Sequence, residues 1–183
     1  MKNKKEKIIE TATKLFAIQG FEKTSVAAIC DEANVSKGLI YHHFKSKNEI
    51  LIAIYEQSTQ EMIDISTTKI EKNPSEKLKN IIEDVFLQLE NNKQLYQFNL
   101  NIMFQPSTKK ILERQINERA RLLFNSVKDI FEKIDFAKCE LLSYVFIAEI
   151  DGIALNYLSS FENYPIAEMK NQLIKKYTND SEI

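Results

Sequence analysis

Residues 24–47, TSVAAICDEANVSKGLIYHHFKSK, carry the pattern that decides the fold. Thr24 and Ser25 are hydroxyl residues that suit the N-cap of a helix, and the first N–H groups of a helix attract phosphate. Apolar residues then recur every three or four positions, which is typical of one face of a short helix. These residues are Val26, Ile29, Cys30 and Ala33. Asn34 tolerates the left-handed backbone of a sharp turn, and Ser36 suits the N-cap of a second short helix.

The second helix is predicted to have an inner and an outer face. Ile40 and Phe44 lie four positions apart and suit packing against the first helix. The other face carries side chains that donate to phosphate oxygens and base edges, as a helix in the major groove of DNA requires. These side chains are Lys37, Tyr41 and His42. Gly38 would let the helix backbone approach DNA closely. The pattern indicates a helix-turn-helix.

Two further helices are predicted on either side of this stretch. Ser46 and Glu49 form an S-x-x-E capping box, so a helix should begin at once, with Lys47 in its first turn as a candidate phosphate contact. Before the stretch, a helix from about Lys4 to Ile18 should end at Gly20 and pack on the helix-turn-helix.

From about Lys7 to Leu51 the chain resembles the DNA-binding domain of the tetracycline repressor (TetR) family of bacterial one-component regulators. The similarity includes Leu15, Phe16, Gly20, Phe21, the Thr24 helix start, Val35 to Gly38, Tyr41, Phe44 and Lys47. The resemblance implies a set of residues at or near DNA. They are Thr24, Ser25, Lys37, Gly38, Leu39, Tyr41, His42, His43 and Lys47. The chain has Asn34 where the family usually has Gly. It has Leu39 where a small polar residue is common, and leucine has no side-chain group for hydrogen-bonded base readout. Contact with a thymine methyl group is the alternative for this position.

Composition favours an all-α protein. The 183 residues are 44% apolar and 28% charged, with three Gly and three Pro, and no alternating strand pattern stands out. We predict about nine helices: a three-helix head in residues 1–48 and a larger helical regulatory and dimerisation domain in residues 49–183. We expect no apolar run to approach the roughly 20 residues of a membrane span, and the lysine-rich start lacks the core of a secretion signal. We therefore expect a cytoplasmic protein.

The charge is divided unevenly along the chain. Residues 1–47 hold nine lysines and five acidic residues, a net charge of +4, and because the whole chain carries −1 the remainder carries −5. A basic end beside an acidic remainder is expected when one end meets phosphate. Lys2, Lys4, Lys5 and Lys7 suit either an arm on DNA or a solvated terminus.

Catalytic and metal chemistry find little support in the sequence. Cys30 and Cys139 lack the spacing of a zinc site or disulfide framework, so both are expected to be buried apolar residues, with a redox switch as the alternative. The only histidines, His42 and His43, are adjacent and diverge around a helix. Gly-rich phosphate loops are absent from the sequence. We expect neither an enzyme nor a cofactor.

The apolar surface of one late helix is buried most simply by a second subunit. Phe136 to Phe161 is apolar on nearly every side, which requires a larger core or a partner chain. Mostly small residues at intervals of three and four suit close approach of two helices across a two-fold axis. They are Ala148, Gly152, Leu155 and Ser159. In the TetR family the last two long helices form a four-helix dimer interface, which Phe136–Phe161 and Ile166–Tyr177 resemble. A central helix of a monomeric bundle is the alternative.

A group of aromatic and flexible side chains predicts a pocket for a small apolar or aromatic ligand. It consists of Tyr55, Phe86, Tyr96, Phe98, Met103, Phe104 and Phe124. Plain core packing is the alternative for each of them. Together these features predict a homodimeric repressor, released from a palindromic operator when a ligand tilts the helix that runs from Leu51 to Lys72. A regulator without a ligand, one controlled by a protein, and an activator remain alternatives.

Overall fold

The computed structural model describes residues 3–67 and 73–178, without the side chains of residues 65–67, 103 and 104. Within these ranges the chain forms nine α-helices, one π-helical turn and no strand, which confirms the predicted all-α fold. The helices are α1 (Lys4–Gln19), α2 (Val26–Ala33), α3 (Lys37–His43), α4 (Lys47–Thr67), α5 (Pro74–Asn91), α6 (Lys93–Phe104), α7 (Pro106–Phe131), α8 (Cys139–Leu155) and α9 (Ile166–Thr178). The π-helical turn, Asn156–Ser160, continues α8.

Local capping explains where the first helices begin and end. Asn34 has a left-handed backbone, with φ 50° and ψ 56°, at the turn between α2 and α3. Ser36 then caps α3 by accepting the N–H of Leu39 at 3.2 Å. Ser46 likewise accepts the N–H of Glu49 at 3.2 Å, as the capping box predicts. The Glu49 carboxylate, however, accepts the N–H of Lys45 rather than that of Ser46, at 2.7 Å.

One compact unit is made of Met1–Gln60 and Gln94–Asn117. It contains α1–α3, most of α4, α6 and the start of α7, packed around buried Ile8, Phe16, Ile29, Ile40 and Leu51. Phe98 of α6 belongs to the same core and stacks on Phe16 of α1, with ring centres 6.3 Å apart. Asn101 Nδ2 also donates to the carbonyl of Ala17 at 3.4 Å. The unit that holds the helix-turn-helix therefore includes a helix far beyond residue 48.

The second compact unit is made of Glu61–Lys93 and Glu118–Ile183. In its described part, α5 packs against α9. Phe131, Phe146 and Tyr177 meet edge to face in its core, with ring centres 4.9–5.9 Å apart. Tyr177 Oη donates to Glu149 Oε2 at 2.8 Å, and Lys176 pairs with the other oxygen of the same carboxylate. These bonds join α9 to the middle of α8.

The late apolar helix is shorter than the predicted span from Phe136 to Phe161. Asp135 Oδ1 accepts the N–H groups of Ala137 and Lys138 at 3.0 and 3.2 Å. This turn holds residues 136–138 outside the helix and leaves Phe136 78% exposed. At the other end, the helix changes to π-helical hydrogen bonding after Leu155.

The expectation that no apolar run is long enough to span a membrane was wrong. Cys139–Ser160 is a 22-residue helical segment with mean hydropathy 1.4, which suffices for a span by length and composition alone. The mean hydropathy is high although three acidic residues interrupt the segment, Glu140, Glu149 and Asp151. Because Glu149 is paired with Lys176 and Tyr177, the segment is tied into the second unit by polar contacts.

Candidate nucleic-acid interface

Helix α3 presents its polar face to solvent. Ile40 and Phe44 are 1% and 4% exposed and belong to the core, which fixes the orientation of the helix. The opposite face leaves Lys37, Gly38, Tyr41 and His42 exposed, with Leu39 and His43 half-buried. All six residues that the resemblance places on this helix near DNA are thus wholly or partly accessible. A contact of these residues with DNA stays a prediction.

Neighbouring side chains on this face restrain one another. Lys37 Nζ lies 5.8 Å from the centre of the Tyr41 ring, one helical turn away. The rings of His42 and His43 meet edge to face with centres 5.1 Å apart. A cation over an aromatic ring is stabilised by the charge distribution of the ring, so Tyr41 helps to hold the Lys37 ammonium near the start of α3.

Gly38 is not required by the packing of the chain. In the described structure, the nearest neighbour of a Cβ added to Gly38 is Ser36 Oγ at 4.0 Å. Glycine in a helix costs roughly 1 kcal/mol relative to alanine. The fold offers no compensation for this cost at Gly38, which favours a reason outside the chain, such as close approach of a partner.

The start of α2 is arranged to meet an anion. Ser25 caps the helix by accepting the N–H of Ala28 at 3.0 Å. The N–H groups of Val26 and Ala27 lie in the first turn, where a helix supplies no acceptor. Phosphate binds readily to such a helix start. Thr24 differs from Ser25, because its side chain is buried and its hydroxyl donates to the carbonyl of Gly20 at 2.9 Å.

A groove of about 460 Å³ joins the start of α2 to Tyr41 and the start of α4. We call it the phosphate groove. It is lined by Glu22, Lys23, Thr24, Ser25, Val26, Tyr41, Lys45, Ser46 and Lys47. The sequence pattern singled out neither Lys23 nor Lys45, although each lies within two residues of a helix cap. Three lysines beside a helix start make this groove suited to the DNA backbone.

Lys47 occupies an unusual position in the phosphate groove. Its Nζ donates to the carbonyls of Phe21, Thr24 and Glu22 at 2.8, 3.0 and 3.4 Å. It also lies 4.2 Å from the centre of the Phe21 ring. The resemblance implied a phosphate contact for Lys47, and this contact stays a prediction.

The lysines at the start of the chain lie on the first turn of α1. Asn3 caps this helix and forms a capping box with Glu6. Lys5 Nζ lies 5.7 Å from the centre of the Phe44 ring, which places it beside the C-terminal end of α3. Lys4 and Lys7 are exposed, whereas Lys2 lies outside the described residues. The position of Lys5 suits an arm on DNA.

The residues predicted to line a ligand pocket are distributed over both units. Tyr55 and Phe98 are packed in the core of the first unit and Phe86 in that of the second. Phe124 is half-buried, with its ring centre 4.5 Å from that of Tyr144, and Tyr96 is half-buried. The side chains of Met103 and Phe104 lie outside the described part. A pocket shared by these residues stays a prediction.

Both cysteines are free and buried, as the sequence predicts. Cys30 belongs to the core of the first unit and Cys139 to that of the second. In these positions they act as small apolar residues.

Comparison with known sequences supports a regulatory role. Residues 8–54 match the family described as bacterial regulatory proteins, tetR family. Over 97 residues the chain is 38% identical to YerO of Bacillus subtilis (strain 168), an uncharacterized HTH-type transcriptional regulator. That match covers 51% of this chain and 34% of YerO, so the chain spans about a third of the length of this relative.

Two solved structures extend the similarity to nearly the whole chain. A transcriptional regulator (TerR/AcrR family) from Aquifex aeolicus VF5 is 28% identical, with a TM-score of 0.77 and coverage of 94% of this chain and 96% of that one. The regulator FadR from Bacillus subtilis, solved with stearoyl-CoA, is 22% identical, with a TM-score of 0.79 and coverage of 96% and 98%. The FadR likeness shows the fold alone. Taken with the helix-turn-helix, these matches show that residues 8–54 belong to the family of bacterial regulatory proteins, tetR family, and that nearly the whole chain is similar to a transcriptional regulator of this kind.

Proposed function

We propose that the chain is a homodimeric repressor that leaves a pseudo-palindromic operator when a small molecule binds. The observation that carries this proposal is the arrangement of α3 and the phosphate groove on one compact unit. The exposed face of α3 offers Lys37, Tyr41 and His42 to base edges, while the start of α2 offers N–H groups to a phosphate. Phosphate contacts fix the register of a protein on DNA and base contacts read the sequence.

The individual roles follow from accessibility. We assign Lys37, Leu39, Tyr41 and His42 to the major groove, with Leu39 on a thymine methyl group. Gly38 lets the backbone come close, and His43 lies at the edge of this surface. We assign Ser25 and the first N–H groups of α2 to a phosphate, with Lys23 and Lys45 beside it.

Dimerisation is supported by an exposed apolar stripe on α8 and the π-helical turn. Leu141 and Tyr144 are 65% and 63% exposed. Gly152 has no heavy atom of the described residues within 4 Å of an added Cβ, apart from its own helix backbone and chain neighbours. The stripe consists of Leu141, Tyr144, Val145, Ala148, Gly152, Leu155 and Ser159, which follow one another at intervals of three or four positions except for the adjacent Tyr144 and Val145. Contiguous exposed apolar surface of this kind marks an interaction site, and a second copy of α8 would cover it across a two-fold axis.

The effector that we propose is a small apolar or aromatic molecule. Aromatic side chains are typical of sites that hold such molecules, and the chain carries several between residues 86 and 124. FadR from Bacillus subtilis, which has the same fold, was solved with stearoyl-CoA. The effector must bind the non-operator conformation more tightly than the operator-bound one, because a ligand with equal affinity for both shifts nothing.

We assign the transmission of the effector signal to two helices, α4 and α6. α4 begins in the phosphate groove at Lys47. α6 packs on α1 through Phe98 and Phe16 and through the bond from Asn101 to Ala17. A shift of either helix would therefore move elements that orient α2 and α3. The predicted lever, from Leu51 to Lys72, ends outside the described residues.

Selection from random-sequence DNA tests this proposal. The purified chain is incubated with the DNA pool, the retained DNA is sequenced, and binding is repeated over a salt series. We expect a palindrome whose half-sites are about 10 base pairs apart centre to centre, or a multiple of that spacing, with salt-dependent affinity. Weak binding without a sequence pattern would contradict the proposal.

A further inference from the structure

The ammonium group of Lys47 is committed to the loop between α1 and α2. Three backbone carbonyls of residues 21–24 lie within 3.4 Å of Nζ. A lysine ammonium has three N–H donors and no acceptor, so each of its protons is matched by a carbonyl of the loop. The group also rests 4.2 Å from the centre of the Phe21 ring. In this arrangement no donor is left over for a phosphate.

Lys47 thereby holds the short loop between α1 and α2 by hydrogen bonds on its solvent side. The loop starts at Gly20, whose φ of 83° and ψ of 154° suit glycine alone. It continues through Phe21, which is 5% exposed and meets Phe16 edge to face at 5.2 Å. Thr24 N–H donates to the Phe21 carbonyl at 3.3 Å. The loop is thus fixed on its inner side by the core and on its outer side by the first residue of α4.

The loop leads directly into the anion-binding end of α2. Thr24, whose carbonyl accepts a hydrogen bond from Lys47 Nζ, is followed by Ser25, the N-cap of α2. The position of this carbonyl sets where the N–H groups of Val26 and Ala27 lie. Because Lys47 also begins α4, it fixes the two sides of the phosphate groove relative to each other.

We propose that Lys47 is a positioning residue for DNA binding, which holds the start of α2 in place and does not itself donate to a phosphate. This inference rests on the proposed function, since it assigns the phosphate contacts of the groove to the α2 N–H groups, Lys23 and Lys45. Lys47 would then connect the start of α4 to the phosphate-binding end of α2 through its hydrogen bond to the Thr24 carbonyl.

The test compares Lys47→Met with Lys45→Met, a matched control that removes an exposed lysine of the same groove. Operator affinity is measured across a salt series, on DNA selected with the wild-type chain. Each lost phosphate contact lowers the slope of log K against log salt by about 0.9. We expect Lys45→Met to flatten the slope and Lys47→Met to lower affinity at every salt concentration with an unchanged slope.

A second readout needs no DNA. Amide hydrogen exchange of residues 24–28 is measured on the free protein. We expect faster exchange in Lys47→Met, wild-type exchange in Lys45→Met, and recovery of protection in Lys47→Arg, which keeps N–H donors for the carbonyls. If Lys47→Met does not fold, Lys47→Gln is used for both readouts.

A flattened salt slope with unchanged amide exchange would overturn the proposal and make Lys47 a phosphate contact. Unchanged affinity would show that the position has no role in binding. If the wild-type chain selects no DNA sequence, the proposed function fails, and the exchange experiment still decides whether Lys47 orders the start of α2.

Discussion

The hydroxyl of Tyr177 donates to Glu149 Oε2 at 2.8 Å and ties the end of α9 to the middle of α8. Glu149 lies next to Ala148 of the exposed stripe, so this bond helps to fix the direction in which the stripe faces. Burial in the second core, and then the hydrogen bond to Glu149 and its negative charge, raise the pKa of Tyr177 well above its usual value of 10.

This pKa shift predicts a loss of stability in alkali that depends on Tyr177. Above about pH 10 the tyrosine ionises in the unfolded chain, whereas in the folded chain it keeps its proton. The unfolded state then binds fewer protons, so the free energy of unfolding falls as pH rises. We expect the wild-type chain to lose up to about 1.4 kcal/mol per pH unit through this group. Tyr177→Phe should lack this contribution.

Chemical denaturation at pH 8 to 11 measures the effect. At pH 8 the Tyr177→Phe variant should be less stable by about 1 kcal/mol, because one hydrogen bond is lost. The difference between variant and wild type should shrink above pH 10. If the free energy of unfolding falls with pH equally in wild type and Tyr177→Phe from pH 8 to 11, the account is contradicted.

Changing Gly38 to alanine separates folding from DNA binding. The added Cβ finds open space within the described chain and improves helix propensity, so the protein should be more stable by up to about 1 kcal/mol. If the backbone of α3 approaches DNA, operator affinity should fall about tenfold or more, which corresponds to 1.4 kcal/mol. Thermal melting and fluorescence anisotropy measure the two effects. A more stable variant with wild-type affinity would remove Gly38 from the interface.

Lys37 and Tyr41 are expected to be the main side chains that read the operator. Lys37→Ala or Tyr41→Ala should weaken operator binding by roughly 1–3 kcal/mol if each touches a base or a close phosphate. Both side chains are exposed, so the fold should be unaffected. Asp31→Ala changes an exposed residue of α2 and serves as the control. Its affinity is measured on the same operator. Variants that keep the wild-type circular dichroism spectrum and the wild-type affinity would refute the assignment.

A bulky residue at Gly152 should break the dimer. Within the described residues an added Cβ at Gly152 meets no heavy atom within 4 Å beyond its own helix backbone and chain neighbours, so a side chain can leave the helix here without a clash at Cβ. In a close pairing of two α8 helices the same side chain would hold them apart. Glu90→Leu adds an equal side chain to an exposed position of α5 and serves as the control. Sedimentation velocity should show a monomer for Gly152→Leu and a dimer for Glu90→Leu. A dimeric Gly152→Leu would exclude Gly152 from the interface.

The features that could be predicted from the sequence are those set by local interactions. The left-handed turn at Asn34 and the caps at Ser36 and Ser46 depend on residues within three positions of one another. The same is true of Asn73, which accepts the N–H of Ser75 at 2.9 Å and starts α5. The faces of α3 followed from the spacing of Ile40 and Phe44.

Contacts between distant segments explain what the sequence did not reveal. The carbonyl contacts of Lys47 depend on how a loop meets a helix more than 20 residues away. The Thr24 hydroxyl turns inward because it donates to the carbonyl of Gly20, at the end of α1. Phe98 enters the core of the first unit through contact with Phe16, some 80 residues earlier, and no local pattern signals this. Asp135 shortened the late apolar helix, because its side chain competes for N–H groups that a helix start would use.

The central claim is that two copies of α3 read one operator from a fixed separation. The most direct test inserts five base pairs, about half a helical turn, between the half-sites of the selected palindrome and measures affinity and stoichiometry. The account predicts two chains on the original operator and a loss of affinity of at least a hundredfold on the altered one, because the second half-site then faces the other side of the duplex. Equal affinity for both duplexes, or one chain on each, would contradict it.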